Sequence, residues 1–180
     1  MVERGSGQDR LGPAGQRRPA TDAQARALAS GTRLRILRLC LSEALTNKEI
    51  ATRLGKHPAS VLHHVRTLVD TGFLAAEPVR RGSRGAREVP YRATGLSWLV
   101  ELGDRSQGQT DALLEAFLEE VASVGQKQLQ STRLGLRLPT DEIEELRQRL
   151  QELFDEFAHR PIDPEGQRWS IYLGMHPESS

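Results

Sequence analysis

One segment in the first half of this chain carries signals for the ends of two successive helices. Thr46 and Glu49 match a capping box, in which a hydroxyl and a carboxylate each bond a free backbone amide at the start of a helix. Gly55 allows a tight turn, and Pro58 suits a first helical position because its missing N–H would be unpaired there. The segment therefore predicts a helix, a tight turn and a second helix that ends near Gly72.

Two further helices are expected before this pair. Thr21 can cap a helix that runs to about Ser30, and Gly31 would break it. Thr32 can then cap a second helix that continues through Glu43, with apolar residues at helical spacing. The first half of the chain is thus predicted to be mainly helical.

A basic hairpin is expected after the helix pair. Residues 73–80 and 88–94 read as two strands that flank a glycine-rich tip at 82–85. Pro90 should confine the returning strand to the edge of its sheet. The hairpin carries several arginines, which are Arg80, Arg81, Arg84, Arg87 and Arg92.

The second half of the chain follows a different pattern. A long helix is expected at 109–130, with an apolar stripe that includes Leu113, Leu114 and Leu118. Alternating leucines at 132–138 and alternating apolar residues at 168–174 predict two strands. Between them, Thr140 is expected to be the N-cap of another helix. The predicted fold is α+β, mainly helical, with a helix–strand–helix–strand region at the C-terminal end.

Charge divides the chain into two halves of opposite sign. Residues 1–100 hold 17 Lys and Arg against 8 Asp and Glu, which is a net charge of +9. Residues 101–180 hold 8 against 16, a net charge of −8, and the two values sum to the overall +1. A basic half followed by an acidic half indicates that the first half meets a polyanion.

The second helix of the pair would have one apolar and one polar face. Val61, Val65 and Leu68 can meet in a small core, which leaves Ser60 and His63 on the outside. An α-helix fits the major groove of B-DNA, where short polar side chains can contact base edges. A ribbon rich in arginine can bind phosphates or enter a narrow minor groove beside it.

These residues resemble the winged helix-turn-helix of ArsR-like bacterial transcriptional regulators, over roughly residues 21–97. The matching elements are Glu49-Ile50-Ala51, Ser60-Val61-Leu62-His63-His64 and Gly72-Phe73-Leu74. The resemblance implies a homodimer that binds a palindromic site with the second helix in the major groove. By matching position, Ser60 and His63 would contact bases.

The predicted organisation is a disordered tail at 1–20, the DNA-binding domain at 21–97, and a C-terminal region at 98–180 for dimerisation, with an effector role there left open. The double-stranded DNA contacts are predicted to come from the helix at 58–71, the residues before it and the wing at 80–92. These contacts are Lys56, His57, Ser60, His63, Arg66, Thr67, Arg80, Arg81, Arg84 and Arg87.

Metal sensing, which occurs among ArsR-like proteins, is not expected of this chain. Cys40 is the single cysteine and is predicted to be a buried small hydrophobe. His63 and His64 are adjacent, so they do not face the same way on a helix. We therefore expect no metal and no cofactor. A small-molecule effector in the C-terminal region is left open, because no residue pattern names one.

Other functional classes fit this sequence less well. A winged-helix module that binds only proteins would have no need of the arginine hairpin. The motifs of common enzymes are missing from the sequence, so no catalysis is expected. With no long apolar run and no apolar signal segment, a cytoplasmic location without membrane insertion is expected.

The C-terminal helices could pack within one subunit or across a dimer, and a two-part binding site favours the dimer. Their acidic side chains are expected to form a solvated outer face. These residues are Glu115, Glu119, Glu120, Glu144, Glu145 and Glu152.

Overall fold

The computed structural model describes residues 17–82, 85–102, 107–124, 129–161, 163 and 165–177, and the α+β fold is confirmed. Within these ranges, seven helices form. They are α1 (Asp22–Leu28), α2 (Gly31–Ser42), α3 (Asn47–Leu54), α4 (Pro58–Asp70), α5 (Leu96–Leu99), α6 (Gln107–Val124) and α7 (Thr140–Ala158). None of the helices in the described residues is long and apolar enough to cross a bilayer.

Short strands complete the fold. They are β1 (Arg18–Pro19), β2 (Leu45–Thr46), β3 (Leu74–Ala76), β4 (Arg80–Arg81), β5 (Arg87–Glu88), β6 (Pro90–Ala93) and β7 (Val100–Glu101). The antiparallel three-stranded sheet has the order β2-β6-β3. Strands β4 and β5 form a separate antiparallel ladder, and β1 pairs with β7 in parallel.

The predicted edge position of Pro90 is wrong. Pro90 is the first residue of β6, the central strand, where it stands opposite Thr46. Its carbonyl oxygen accepts a hydrogen bond of 2.8 Å from the amide of Glu77. The missing N–H would lie on the same side as this carbonyl and face Glu77, and it costs little there because the pairing with β3 ends at Ala76.

The helix ends follow local side-chain chemistry. The capping box of Thr46 and Glu49 is confirmed, with the Thr46 hydroxyl accepting from the amide of Glu49. At α2 the predicted cap is wrong, because Ser30 rather than Thr32 accepts from the amide of Arg33. Gly31, which was predicted to end the preceding helix, is instead the first residue of α2.

Helices α2, α3 and α4 share one apolar core. Ile36 of α2, Ile50 of α3, and Val61, Val65 and Leu68 of α4 are all 0 % exposed. Burying each of these side chains contributes about 1.5–3 kcal/mol relative to leaving it in water. The core therefore holds α4 against the domain by one face only.

Cys40 lies in this core, as predicted, at 0 % exposure. Burial raises the pKa of its thiol to about 12, because the apolar surroundings disfavour a thiolate. The residue therefore acts as a small apolar side chain.

Helix α6 packs on α2 through its alanines and not through its leucines. Ala112 and Ala116 are 5 % and 4 % exposed. A Cβ placed at Gly31 would lie 3.0 Å from Oε2 of Glu115 and 3.5 Å from the carbonyl oxygen of Ala112, so α6 passes directly over the start of α2. The predicted stripe at Leu113, Leu114 and Leu118 is exposed instead.

Two acidic residues of α6 pair with arginines of α2. Glu119 is exposed as expected, whereas Glu120 is half-buried and does not lie on the expected solvated outer face. Glu119 pairs with Arg35, and Glu120 pairs with Arg38 over 3.2 Å. Complementary charge thus flanks the alanine contact between the two helices.

The two strands predicted at 132–138 and 168–174 do not form. Neither segment has regular secondary structure, and their side chains are exposed apart from a half-buried Tyr172, which stacks on Phe117 with ring centroids 5.4 Å apart. Helix α7 forms as predicted but has no buried residue, and Pro139 rather than Thr140 occupies its N-cap position. It is held by Asp155, which accepts from Trp98 over 2.9 Å and from Arg17 over 3.0 Å.

The predicted disordered tail is too long. Residues 18–19 pair with β7, and Ala20 is 4 % exposed. The amide of Ala20 donates to the carbonyl oxygen of Glu101 over 2.7 Å. Residues 1–16, the rest of that tail, lie outside the described residues.

Candidate nucleic-acid interface

Helix α4 presents a polar face to solvent along its length. Ser60, His63 and Arg66 are exposed, whereas the opposite face is buried in the core. Since these three residues are spaced by three, they lie along one side of the helix. This side is the one that the sequence predicts to face base edges.

The start of α4 is held by two polar side chains. His57 is the N-cap residue, and its Nδ1 accepts a hydrogen bond of 3.3 Å from the amide of Ala59. The other ring nitrogen, Nε2, therefore remains available as a donor on this exposed residue. Asn47 of α3 donates to the carbonyl oxygen of Pro58 over 2.9 Å, which joins the two helices. The exposed Lys56 lies in the turn between them.

Thr67 belongs to the same side of α4 but is half-buried. Its hydroxyl donates to the carbonyl oxygen of His63 over 3.1 Å. The hydroxyl proton is therefore used within the helix, and only the oxygen lone pairs are available to a partner.

His64 points toward the edge of the core. Burial lowers the pKa of His64 below its ordinary value, and the nearby positive charge of Arg33 adds to this effect. The imidazole is therefore neutral at pH 7. Across the described ranges, no group of three His, Cys, Asp or Glu side chains meets as metal ligands.

The wing places two arginines directly opposite each other. In the ladder of β4 and β5, Arg81 is the partner of Arg87, and both side chains are exposed. Neither forms an ion pair with another residue in the part of the chain that the structure describes. Like charges at opposing positions destabilise a ladder, so an anion between them would be bound favourably. Arg84, at the predicted tip, lies outside the described residues.

Arg80 points inward, toward α3. Its Nη2 lies 2.6 Å from both carboxylate oxygens of Glu49, and its Nε lies 4.0 Å from Glu88 on the opposite strand. The hydrogen bond from the Thr46 amide lowers the pKa of Glu49, and Arg80 lowers it further. Glu49 is therefore ionised at neutral pH and serves both the helix cap and the wing.

Arg92 also stays within the domain. It pairs with Glu77 across the sheet and donates to the carbonyl oxygen of Ser42 over 3.2 Å. Of the five arginines in the hairpin, this one ties the wing to the end of α2.

Sequence reasoning missed several of these roles. Glu49 was recognised as a cap, but its partner Arg80 is 31 positions away. Glu43 at the end of α2 accepts from Arg53 of α3 and from Arg168 near the end of the chain. A local sequence pattern does not predict such ion pairs, because their two residues belong to elements that only the folded structure brings close together.

Residues 28–77 match the helix-turn-helix domain family. The matched segment runs from the end of α1 through β3 and contains the whole of α3 and α4. No curated protein sequence matches the chain.

The solved structures that match this chain include a repressor and a transcription regulator. ZitR of Lactococcus lactis, as its C30AH42A mutant in apo form, is 22% identical over 74% of this chain and 86% of its own, with a TM-score of 0.33. The adhesin competence repressor AdcR of Streptococcus pyogenes is 18% identical over 77% and 81%, with a TM-score of 0.29. MepR, a transcription regulator of the Staphylococcus aureus multidrug efflux pump MepA, is 14% identical over 77% and 80%, with a TM-score of 0.27. At these scores no residue role is carried over from them.

Proposed function

Given that residues 28–77 form a helix-turn-helix domain with a basic wing beside it, we propose that this chain is a sequence-specific DNA-binding transcriptional regulator. The observation that carries the proposal is the two-sided helix α4. Val61, Val65 and Leu68 on its apolar side are fully buried, while Ser60, His63 and Arg66 on its polar side are exposed. A helix held in this way can enter a major groove without losing its packing.

The roles of the residues follow from their positions. Ser60 and His63 contact base edges, since they lie in the first two turns of the exposed side of α4. Positively charged and donor side chains around them contact phosphates, which fixes orientation rather than sequence preference. These side chains are Lys56, His57, Arg66, Thr67, Arg81, Arg84 and Arg87.

The opposed pair of Arg81 and Arg87 supports a polyanionic partner. Two exposed guanidinium groups at facing positions repel each other in the free protein. A phosphate backbone removes this repulsion and releases its counterions, so binding should weaken steeply with added salt.

We further propose that the protein acts as a homodimer on a palindromic operator. Large apolar side chains are exposed on α6 and α7 and in the segments without regular structure in the C-terminal region. Exposed large apolar side chains in this number favour an interface, which would remove them from water. Within this region, the large apolar residues exposed to at least 47 % are Leu118, Leu134, Leu136, Leu153, Phe157, Trp169, Ile171 and Leu173.

Selection of bound sites from random duplex DNA tests the proposal. A regulator of this kind should enrich one motif with two inverted half-sites, separated by about one helical turn. Affinity for the enriched site should exceed that for shuffled DNA by at least about a thousandfold at physiological salt. A protein-binding module would enrich no motif and would show no salt-dependent DNA binding.

A further inference from the structure

The outer part of the wing is the separate ladder of β4 and β5, which is joined to the three-stranded sheet by short segments without regular structure. Residues 77–79 interrupt one side between β3 and β4, and Val89 interrupts the other between β5 and β6. Since the ladder of β4 and β5 does not continue the sheet of β2, β6 and β3, backbone pairing alone does not set its angle to α4.

One side chain connects this outer ladder to the helix pair. Within the described residues, the only ion pair or side-chain hydrogen bond from the ladder to another element is that of Arg80 with Glu49. Both carboxylate oxygens of Glu49 lie 2.6 Å from Nη2 of Arg80. Glu88, opposite Arg80 in the ladder, adds a second carboxylate at 4.0 Å.

Glu49 is itself firmly placed. Its Oε2 accepts from the amide of Thr46 over 2.7 Å and from the Thr46 hydroxyl over 2.9 Å. Thr46 in turn pairs with Pro90 of the central strand. The carboxylate that meets Arg80 is therefore fixed at the junction of α3 and the sheet.

From this geometry we propose that Arg80 and Glu49 are positioning residues for DNA binding. Their ion pair holds the outer wing at the angle that brings Arg81 and Arg87 beside the groove occupied by α4. Arg80 then acts through Glu49 and not as a phosphate contact. This inference rests on the proposed DNA-binding function, and the test below separates the two.

Glu49→Gln gives the sharpest test, because glutamine preserves the capping box while removing the charged partner of Arg80. Electrostatics alone predicts that loss of a negative charge strengthens DNA binding. Positioning predicts the opposite, a loss of about twofold to fivefold in affinity, which is the range expected for an exposed ion pair. Unchanged or stronger binding by Glu49→Gln would overturn the proposal.

A double-mutant cycle on a nonspecific duplex adds a second measurement. At a salt concentration that screens long-range charge, Arg80→Gln should weaken binding as much as Glu49→Gln does, and the double variant should be no weaker than either single one. If Arg80 contacts a phosphate directly, Arg80→Gln will weaken binding further in the Glu49→Gln background, which would contradict the inference. Arg81→Gln is the matched control, and it should lower the salt slope by about one.

The backbone order of the wing, measured by NMR relaxation without DNA, separates failure of this inference from failure of the proposed function. Amide order in 80–88 should fall in Glu49→Gln and in Arg80→Gln and stay unchanged in Arg81→Gln. If order falls as expected but the wild-type protein binds no DNA, the positioning contact stands and the DNA-binding function is wrong. If order is unchanged in all variants, the positioning role is wrong whatever the DNA result.

Discussion

Arg168, which follows α7 in the C-terminal segment, donates to the carboxylate of Glu43 at the end of α2 over 2.9 Å. The same carboxylate accepts from Arg53 of α3 over 2.5 Å and 3.1 Å. Glu43 thereby joins the C-terminal half of the chain to the first helix of the helix-turn-helix pair.

This junction should respond to acid. The hydrogen bond from Arg53 lowers the pKa of Glu43, and the charges of Arg53 and Arg168 lower it further. Because the folded-state pKa is lowered, the stabilisation is complete above the ordinary glutamate value of about 4.3 and is lost as the pH falls through the folded value. Since the side chains are partly exposed, we expect less than about 1 kcal/mol.

Urea unfolding of wild type and Glu43→Gln at several pH values between 7 and 2.5 checks this expectation. The difference in unfolding free energy should be largest at neutral pH and vanish in acid. Glu165→Gln is the control, since that exposed side chain forms no ion pair among the described residues. A difference that is the same at every pH would mean that the charge of Glu43 contributes nothing.

Variants of residues that contact bases and variants of residues that contact phosphates should have different effects on DNA binding. Ser60→Ala or His63→Ala should reduce discrimination between the selected site and its single-base variants by about 1–3 kcal/mol, with little effect on nonspecific affinity. Arg84→Ala should weaken binding to all sequences alike and lower the salt slope by about one. Titrations at several salt concentrations measure both quantities. Equal effects of all three variants on specific and nonspecific DNA would contradict the assignment.

The exposed leucine face of α6 should control assembly. Leu118 is 56 % exposed, so Leu118→Glu adds no buried charge within one subunit. At a dimer interface the same charge would be desolvated, and the variant should shift toward monomer. Sedimentation equilibrium over a range of protein concentrations measures the change. Ser123→Glu, at an exposed position near the end of the same helix, should leave assembly unchanged. A Leu118→Glu variant that assembles like wild type would remove α6 from the interface.

Cys40 should report on global unfolding. With a pKa of about 12, on the order of one thiol in ten thousand is ionised at pH 8, and the side chain is fully buried. Reaction with a thiol reagent at pH 8 should therefore proceed only as fast as the protein opens, and urea should accelerate it in step with unfolding. Since this is the single cysteine, the signal is unambiguous. Rapid labelling of the native protein would show that the core around α2 opens locally.

The outcome of the helix predictions shows where sequence reasoning succeeds. The capping box at Thr46 and the proline at the start of α4 were recognised because each signal lies within a few residues of the structure it specifies. The cap of α2 was misplaced by two residues, since Ser30 and Thr32 offer similar hydroxyls and the local sequence does not distinguish them.

In the C-terminal half, the alternation of apolar residues did not predict strands correctly. The segments at 132–138 and 168–174 have the period of strands, but a strand needs a partner for its backbone. Neither segment pairs with another in the single chain, so the predicted strands are not formed. In the same way, α6 turns its alanines to α2 because a close helix contact needs small side chains, and the leucines are left outside.

The sequence by itself determined the helix pair, the two faces of α4, the basic hairpin and the burial of Cys40. These features depend on periodicity and on caps that act over three or four residues, and both are visible in the order of amino acids. Only the tertiary structure decided that Arg80 meets Glu49, that Arg168 meets Glu43, and that β6 is a central strand. Each of these joins residues far apart in the chain, so the contact exists only after the core has brought their elements together.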